Sequence, residues 1–393
     1  MMNDSTLVAR LRAALAHLPR GNPGAATAAI QEALREHRPG RPAFRRPMPP
    51  PAAHGTPKPA GFVADLLAGL GVDTSAAVPG VPRPGFDPSG QVPARPDPLA
   101  PGQFLLGSFS HSAGTRAYRL YVPAAAQGQP LPLVVMLHGC TQTPADFATG
   151  TRLNALAEEF PCLVLYPAQA QSANASKCWN WFNPADQQRE HGEPALLAAL
   201  TQEIVATYPV DPARVFVAGL SAGGAMAVIL ATTYPERYAA VAVHSGLPYG
   251  AAQDLPSAFA AMQGTSALAP QTPRSPKPIL VFHGDRDATV HPANGEQLLT
   301  AFLPPQTLVQ TRQEAARPGQ YGYTHTRYED VDGRTVAEYW LVHGAGHAWF
   351  GGSPQGSYTD AQGPDASREM VRFFALHRLP DGRCGEAPGN RRA

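Results

Sequence analysis

In the stretch RVFVAGLSAGGAM, residues 214–226, Ser221 stands between Gly219 and Gly223 at the end of an apolar run. A Gly-x-Ser-x-Gly pattern between a strand and a helix suits a nucleophile. The turn is too tight for side chains at the glycine positions. It lifts the serine hydroxyl out of the sheet and aims it at a helix N-terminus. The five residues alone are a weak signal, because Gly, Ala and Ser are common here. Their setting is more specific: a buried-strand run, the motif, then an Ala-rich helix. The plain alternative is a small residue that fits a tight turn.

A serine hydroxyl needs a base, and the base needs a group that orients it. In this kind of chain an acid and then a histidine should follow, each just past a strand. PILVFHGDRDATV offers Asp285 and Asp287. Asp287 is favoured, because it lies further beyond the strand end and lets Val290 pack back; a loop-capping carboxylate is the alternative. YWLVHGAGHAWFGG offers His343 at the strand terminus and His347 on a glycine-punctuated loop. His347 is better placed to reach across to Ser221. A developing oxyanion needs donors. The N–H of Ala222, directly after Ser221, is one. The N–H of Cys140, in the loop LHGCTQ after an earlier strand, is the candidate for the second. The Cys140 thiol has no activating base in view and is not expected to attack.

Aromatic residues cluster near these groups: Trp179, Trp181 and Phe182 in CWNWF, and Trp349 two residues after His347. An apolar rim beside a nucleophile would bind an acyl chain, and Trp181 and Trp349 are the candidates. Core packing is the alternative for both, and the stronger reading for Trp179. Asn180 is read as holding its loop, and Arg189 and Glu193 as a structural ion pair or helix start. His138, His244, His283 and His291 are read as local hydrogen-bonding residues.

The elements that must position these groups are legible from about residue 103. Strand runs are AYRLYVP (117–123, an edge strand), LPLVVMLHG (131–139), CLVLYP (162–167), RVFVAG (214–219), YAAVAVHSG (238–246), PILVFHG (278–284) and VAEYWLVHG (336–344). Helical periodicity falls at 146–160, 193–208, from 222, around 293–303 and near 365–377. Alternating strands and helices predict an α/β domain over 103–380, its mostly parallel sheet covered on both faces. Chemistry should gather beyond the carboxyl ends of the strands.

The 393 residues carry a formal net charge of +1, which gives no electrostatic case for nucleic acid or an anionic membrane. No run approaches the ~20 apolar residues of a membrane span. Residues 1–38 read as a helical hairpin with one apolar face, which would dock on its own domain, a second subunit or another surface. Residues 39–102 read as a Pro-rich linker, and 381–393 as a flexible tail. No hydrophobic secretory signal is apparent at the N-terminus, so the expectation is a chain that is either cytoplasmic or exported by another route. The four cysteines, Cys140, Cys162, Cys178 and Cys384, show no metal-ligand spacing, and one structural bridge is conceivable.

Five blocks fall in order: LHGCTQTPADF, KCWNWFNPADQQREHGEP, GLSAGGAM, HGDRDATV and GHAW. Together they resemble the polyhydroxybutyrate depolymerase family of esterases, α/β-hydrolases related to feruloyl and acetylxylan esterases. The resemblance covers roughly residues 103–377. It implies Ser221, Asp287 and His347 as a triad, and Cys140 and Ala222 as the oxyanion hole. It implies a Cys140–Cys178 disulfide that fixes the oxyanion loop and requires an oxidising compartment, so a secreted protein. Cys162 would be a buried free thiol. No metal or cofactor is implied. The implied substrate is a short-chain polyhydroxyalkanoate or its oligomers. A feruloyl or acetyl carbohydrate ester is the alternative, and a non-catalytic protein on polyester granules, anchored by the hairpin, is a third reading. Phe350 departs from the smaller residue usual after His-Ala-Trp, which bears on the pocket rim.

Overall fold

A computed structural model describes residues 101–380 apart from 127, 305 and 306. All of these belong to the second of two units, Ser89–Ala393. The expected hairpin 1–38, all but the end of the linker 39–102, and the tail 381–393, with Cys384, lie outside the described residues.

Strands β1 (Gln103–His111), β2 (Gly114–Val122), β3 (Leu131–Leu137), β4 (Leu163–Pro167), β5 (Val210–Leu220), β6 (Ala240–His244), β7 (Ile279–Gly284), β8 (Leu308–Glu314), β9 (Tyr323–Glu329) and β10 (Thr335–Val342) form one sheet. Its order is β1-β2-β4-β3-β5-β6-β7-β10-β9-β8. The six central strands, β4 to β10 in that order, run parallel. The pairs β1–β2, β2–β4, β10–β9 and β9–β8 are antiparallel. β11 (Trp349–Phe350) and β12 (Thr359–Asp360) make a small separate parallel pair. The predicted mostly parallel α/β sheet is therefore what forms.

The central strands are nearly continuous runs of Val, Leu, Ile and Ala because both faces are covered. Alternation sends Val134 and Met136 to one face, and Leu133, Val135 and Leu137 to the other. The first face packs into a core with Phe147, Leu153, Leu156, Met370, Phe373 and Phe374. These come from α1 (Pro144–Thr151), α2 (Leu153–Glu159) and α7 (Ala366–Phe374). The second face meets α3 (Gly192–Thr207), α4 (Ala222–Thr233) and α6 (Ala293–Phe302).

Two expectations change, and the structure adds elements the sequence pattern does not predict. The span 146–160 is two helices, because Arg152 turns left-handed at φ 56° and its N–H caps back on Ala148. The 117–123 strand is not an edge, because β1 pairs along its whole length. The outer strands β8 and β9 escaped detection: LVQTRQE and YTHTRYE carry too few apolar residues for a periodic signal, as suits strands at a sheet margin. Helix α5 (Leu255–Met262), opened by an Asp254–Ser257 capping box, is a further element outside the predicted set.

Candidate active site

Strands β5, β6, β7 and β10 point their carboxyl ends to one edge of the sheet; β5 and β6 end level, and β7 and β10 end two residues further on. Leu220 is in register with His244, His244 with Phe282, and Gly284 with Val342. Ser221, Asp287 and His347 leave from these carboxyl ends.

Ser221 itself is buried and takes φ 57°, ψ −122° between β5 and α4. A non-glycine residue there is strained, and its surroundings must hold it. The Ser221 N–H donates to the His244 carbonyl at 2.9 Å, and the Ser221 carbonyl accepts from Ala225 N–H at 3.0 Å. The glycines are sterically required. A Cβ at Gly219 would collide with the backbone of Gly223, and one at Gly223 with the Leu137 and His138 carbonyls. α4 thus starts hard against the end of β3. Ala222 is its first residue, and the N–H of such a residue has no partner within its own helix.

Asp287 is also buried. Its Oδ2 accepts from His347 Nδ1 at 2.7 Å, and its Oδ1 from the N–H groups of Thr289 and Val290 at 2.9 and 2.8 Å. Burial alone would raise the carboxyl pKa. The His347 imidazole, helped by His283 and the Val290 N–H, outweighs it and brings the pKa down to about 2. A second pair lies beside the first: His343 Nδ1 meets Asp285 Oδ2 at 3.1 Å. Asp285 Oδ1 also takes the Gly344 N–H, and His343 Nε2 meets Thr324 Oγ1 at 2.9 Å. This outer pair is partly exposed, whereas the Asp287–His347 pair is buried.

The loop after β10 is folded back over the sheet. Ala345 O accepts from Arg286 N–H, and a Cβ at Gly284 would strike the Ala345 carbonyl. Beyond His347, the Phe350 N–H donates to His244 Nε2 at 3.1 Å. His244 thus ties both the serine turn and the histidine loop to the end of β6. Burial holds its pKa well below the usual histidine value, so it is neutral. The sequence predicts only a local hydrogen-bonding role for it; its reach of 106 positions to Phe350 has no sequence signal.

Cys140 and Cys178 form the disulfide that the resemblance implied. The loop is pinned on both sides of Cys140: Gly139 N–H donates to Gln142 Oε1 at 2.9 Å, and Thr141 N–H to Ser176 O at 2.7 Å. The segment after β11 clasps it from outside. Gln142 Nε2 donates to Ser357 O, Ser357 Oγ to Asp146 Oδ2, and Tyr358 Oη meets Thr141 Oγ1. On the Cys178 side, buried Glu193 gathers donors from Arg116, Gln169 and both the backbone and side chain of Asn180. Glu193 does begin a helix, but its ion-pair partner is Arg116; Arg189 pairs with Glu236 at 2.8 Å. Cys162 is a buried free thiol, its pKa pushed up to about 12 by burial.

The two candidate substrate tryptophans differ. Trp181 is buried with its ring edge-on to Phe182, outside the main core cluster. Trp349 belongs to the core: its Nε1 donates to Ser367 Oγ, its ring lies against His244, and Phe147 meets it edge-on. A ring and N–H so engaged suit the packing alternative for Trp349. Phe350 is fully buried against His244, so its size fills core rather than a rim. Among the described residues, no group of three or more His, Cys, Asp or Glu is arranged to hold a metal ion, and no helix is long and apolar enough to cross a membrane.

A family model described as esterase PHB depolymerase matches residues 116–322, more than half of the chain. The chain belongs to the esterase PHB depolymerase family. The matched span carries Ser221 and Asp287 and ends before His347. Among curated relatives, the poly(3-hydroxyalkanoate) depolymerase C of Paucimonas lemoignei is 34% identical over 258 residues, 62% of this chain and 60% of that protein. The feruloyl esterase B of Neurospora crassa is 28% identical over 288 residues, 68% of this chain and 90% of that one. The chain thus spans under two thirds of the depolymerase's length. An acetyl xylan esterase from Aspergillus awamori superposes with a TM-score of 0.51 at 21% identity, over 69% of this chain and 99% of that one. The family fold, an α/β-hydrolase sheet, is the one described above.

Proposed function

We propose that the protein is a serine esterase acting through an acyl-enzyme. The observation that carries this is the strained Ser221 at the end of β5, on the same edge of the sheet as a buried Asp287–His347 pair carried by the loops after β7 and β10. In the proposed cycle His347 Nε2 takes the Ser221 hydroxyl proton as Oγ attacks the ester carbonyl. Asp287, ionised down to low pH, keeps the proton on Nδ1 and stabilises the imidazolium. The N–H groups of Cys140 and Ala222 receive the oxyanion. Collapse expels the alcohol, which takes the proton from His347. Water, deprotonated by His347, then releases the acid and restores Ser221.

The substrate we favour is a short-chain polyhydroxyalkanoate or its oligomers, with Trp181 on the acyl wall. The 34% identity to a depolymerase supports it. A feruloyl- or acetylxylan-type carbohydrate esterase is the second reading, favoured by the fuller coverage of those relatives, 90% and 99% of their lengths. The disulfide supports an oxidising, extracellular setting.

The test is a panel of polyhydroxybutyrate film, soluble hydroxybutyrate oligomers, methyl ferulate, acetylated xylan and p-nitrophenyl butyrate, with wild type and Ser221→Ala. The polyester substrates should be turned over best, and Ser221→Ala should lose at least about 10³-fold in kcat on all. Full activity in that variant would overturn the nucleophile. Preference for ferulate or acetylxylan would overturn the polyester reading alone.

A further inference from the structure

In the proposed cycle the alcohol half of the substrate leaves on the side of His347, because that imidazole gives it the proton it departs with. The acyl half then lies across the reacting carbon. What borders the alcohol side is set by the chain just after His347. There β11 pairs with β12, and the Trp349 N–H donates to the Tyr358 carbonyl at 2.7 Å. Tyr358 is thus fastened beside the histidine loop. Its hydroxyl reaches the oxyanion loop: Oη lies 3.3 Å from Oγ1 of Thr141, the residue after Cys140.

Both members of this contact are strained. Tyr358 takes φ 52° and Thr141 φ 68°, in the left-handed region. Such residues persist where their surroundings over-determine them, and they gather at active sites and ligand clamps. Here the Ser357 N–H donates to Asp146 Oδ1 at 2.9 Å, and a Cβ at Gly356 would strike the Gly150 backbone, so the segment before Tyr358 is seated on α1. The Thr141 N–H donates to Ser176 O at 2.7 Å, and the Thr141 hydroxyl to the Cys140 carbonyl at 2.6 Å. Two left-handed residues thus bring a phenol and a threonine together next to an oxyanion donor.

The exposure of the pair suits contact with a substrate. Thr141 is exposed, and Tyr358 is half-buried, its ring resting on the main core cluster. The ring is fixed from below, and the hydroxyl stands at the surface. Because the Thr141 hydroxyl donates to the Cys140 carbonyl, its oxygen accepts from Tyr358. A separation of 3.3 Å is long for an O–H···O bond, so the phenol proton turns readily to a closer acceptor. A 3-hydroxyacyl leaving group carries such an acceptor, the carbonyl two carbons beyond its carbinol carbon. A plain alkyl alcohol carries none.

We propose that Tyr358 is a specificity-determining residue on the alcohol side of the site: its hydroxyl, held over Thr141, donates to the carbonyl of a 3-hydroxyacyl leaving group. This rests on the esterase and polyester readings above, and it adds how the site tells a polyester link from a plain ester. A residue that only clasped the oxyanion loop would affect every ester alike. One that binds the alcohol changes the ratio of kcat/KM between alcohols.

The experiment compares two esters of 3-hydroxybutyric acid, with wild type, Tyr358→Phe and Ser221→Ala in the full chain. One is the methyl-capped dimer, whose internal ester has a 3-hydroxybutyrate alcohol. The other is the sec-butyl ester, which keeps the branched carbinol carbon and lacks the carbonyl. Products are separated by chromatography, so that cleavage of the methyl cap is counted apart. Wild type should prefer the dimer in kcat/KM. Tyr358→Phe keeps the ring and should cut that preference by about 3- to 10-fold, the range for one lost hydrogen bond, mainly through KM for the dimer. The ratio between p-nitrophenyl acetate and p-nitrophenyl butyrate, which differ in the acyl group alone, should move less than about 2-fold. An acyl ratio that shifts as much as the alcohol ratio would overturn the proposal, and so would an equal loss on the dimer and the sec-butyl ester. Full activity in Ser221→Ala would sink the esterase reading, and the proposal with it. A wild type with no preference for the dimer would do the same to the polyester reading. A wild-type preference that Tyr358→Phe retains in full would sink the role of Tyr358 alone.

Discussion

Two Asp–His pairs share the loops after β7 and β10, their acids two residues apart and their histidines four, and burial separates them. The Asp287 side chain is fully buried and that of His347 nearly so, with both carboxylate oxygens accepting hydrogen bonds. Asp285 and His343 lie at the surface, and His343 Nε2 is engaged by a strand threonine. A solvated pair is screened and contributes little, whereas a buried one fixes the imidazole tautomer. Asp287→Asn should therefore lower kcat by about 10²- to 10⁴-fold on p-nitrophenyl butyrate. Asp285→Asn should stay within about 3-fold of wild type. Equal losses in both variants would move the orienting role away from Asp287.

At the scale of elements, the site depends on close approach between α4, the end of β3 and the loop that carries Cys140. Gly223 is where α4 touches the Leu137 and His138 carbonyls, and backbone cannot give way as a side chain can. Gly223→Ala should destabilise by about 3 kcal/mol or more, read as a drop in urea midpoint, or fail to accumulate as soluble protein. The Cys140–Cys178 bridge spans 38 residues and joins the loop after β3 to the loop before α3. Removing it as Cys140→Ser with Cys178→Ser should cost about 4 kcal/mol by chain entropy. A larger proportional loss in kcat than in KM is expected from the same double variant, because the pinned backbone includes the Cys140 N–H. Thermal melts with and without reductant, paired with kinetics, check both parts.

Across the whole molecule, pH should act first through buried neutral histidines. Burial lowers the pKa of His138 and His377 to about 4, and lowers His244 and His283 as well. Unfolded, each titrates near 6.5. The unfolded chain therefore binds more protons below that value, and stability is lost as pH falls from about 6.5 toward 4. Asp287 adds a later loss: its folded pKa of about 2 lies below the unfolded value near 3.9, so its contribution is present above about 4 and disappears toward pH 2. The Tm should fall by at least about 5 °C between pH 7 and pH 5, before carboxylates titrate. A flat Tm over that interval would contradict the neutral buried imidazoles.

The sequence by itself determined the sheet's central strands, the elbow at Ser221 and the order of acid and histidine. Each depends on local pattern: apolar runs for strands buried on both faces, and glycines where a turn admits no Cβ. It also ranked Asp287 and His347 above Asp285 and His343 from their offset beyond a strand end, and the geometry gives the former pair the burial that such a role needs. Polar margins such as β8 and β9 left no periodic trace, because only the sheet they extend makes them strands. Tertiary structure alone decided which groups meet across long separations. Glu193 pairs with Arg116 rather than Arg189, His244 clamps Phe350, and Trp349 packs edge-on to Phe147. The tautomer of His138 belongs to the same class, since it is set by a backbone N–H 31 residues away. The physical reason is common to all of them. A residue type fixes what a side chain can donate, accept or fill, but the partner and the degree of burial come from chain segments that only folding brings together.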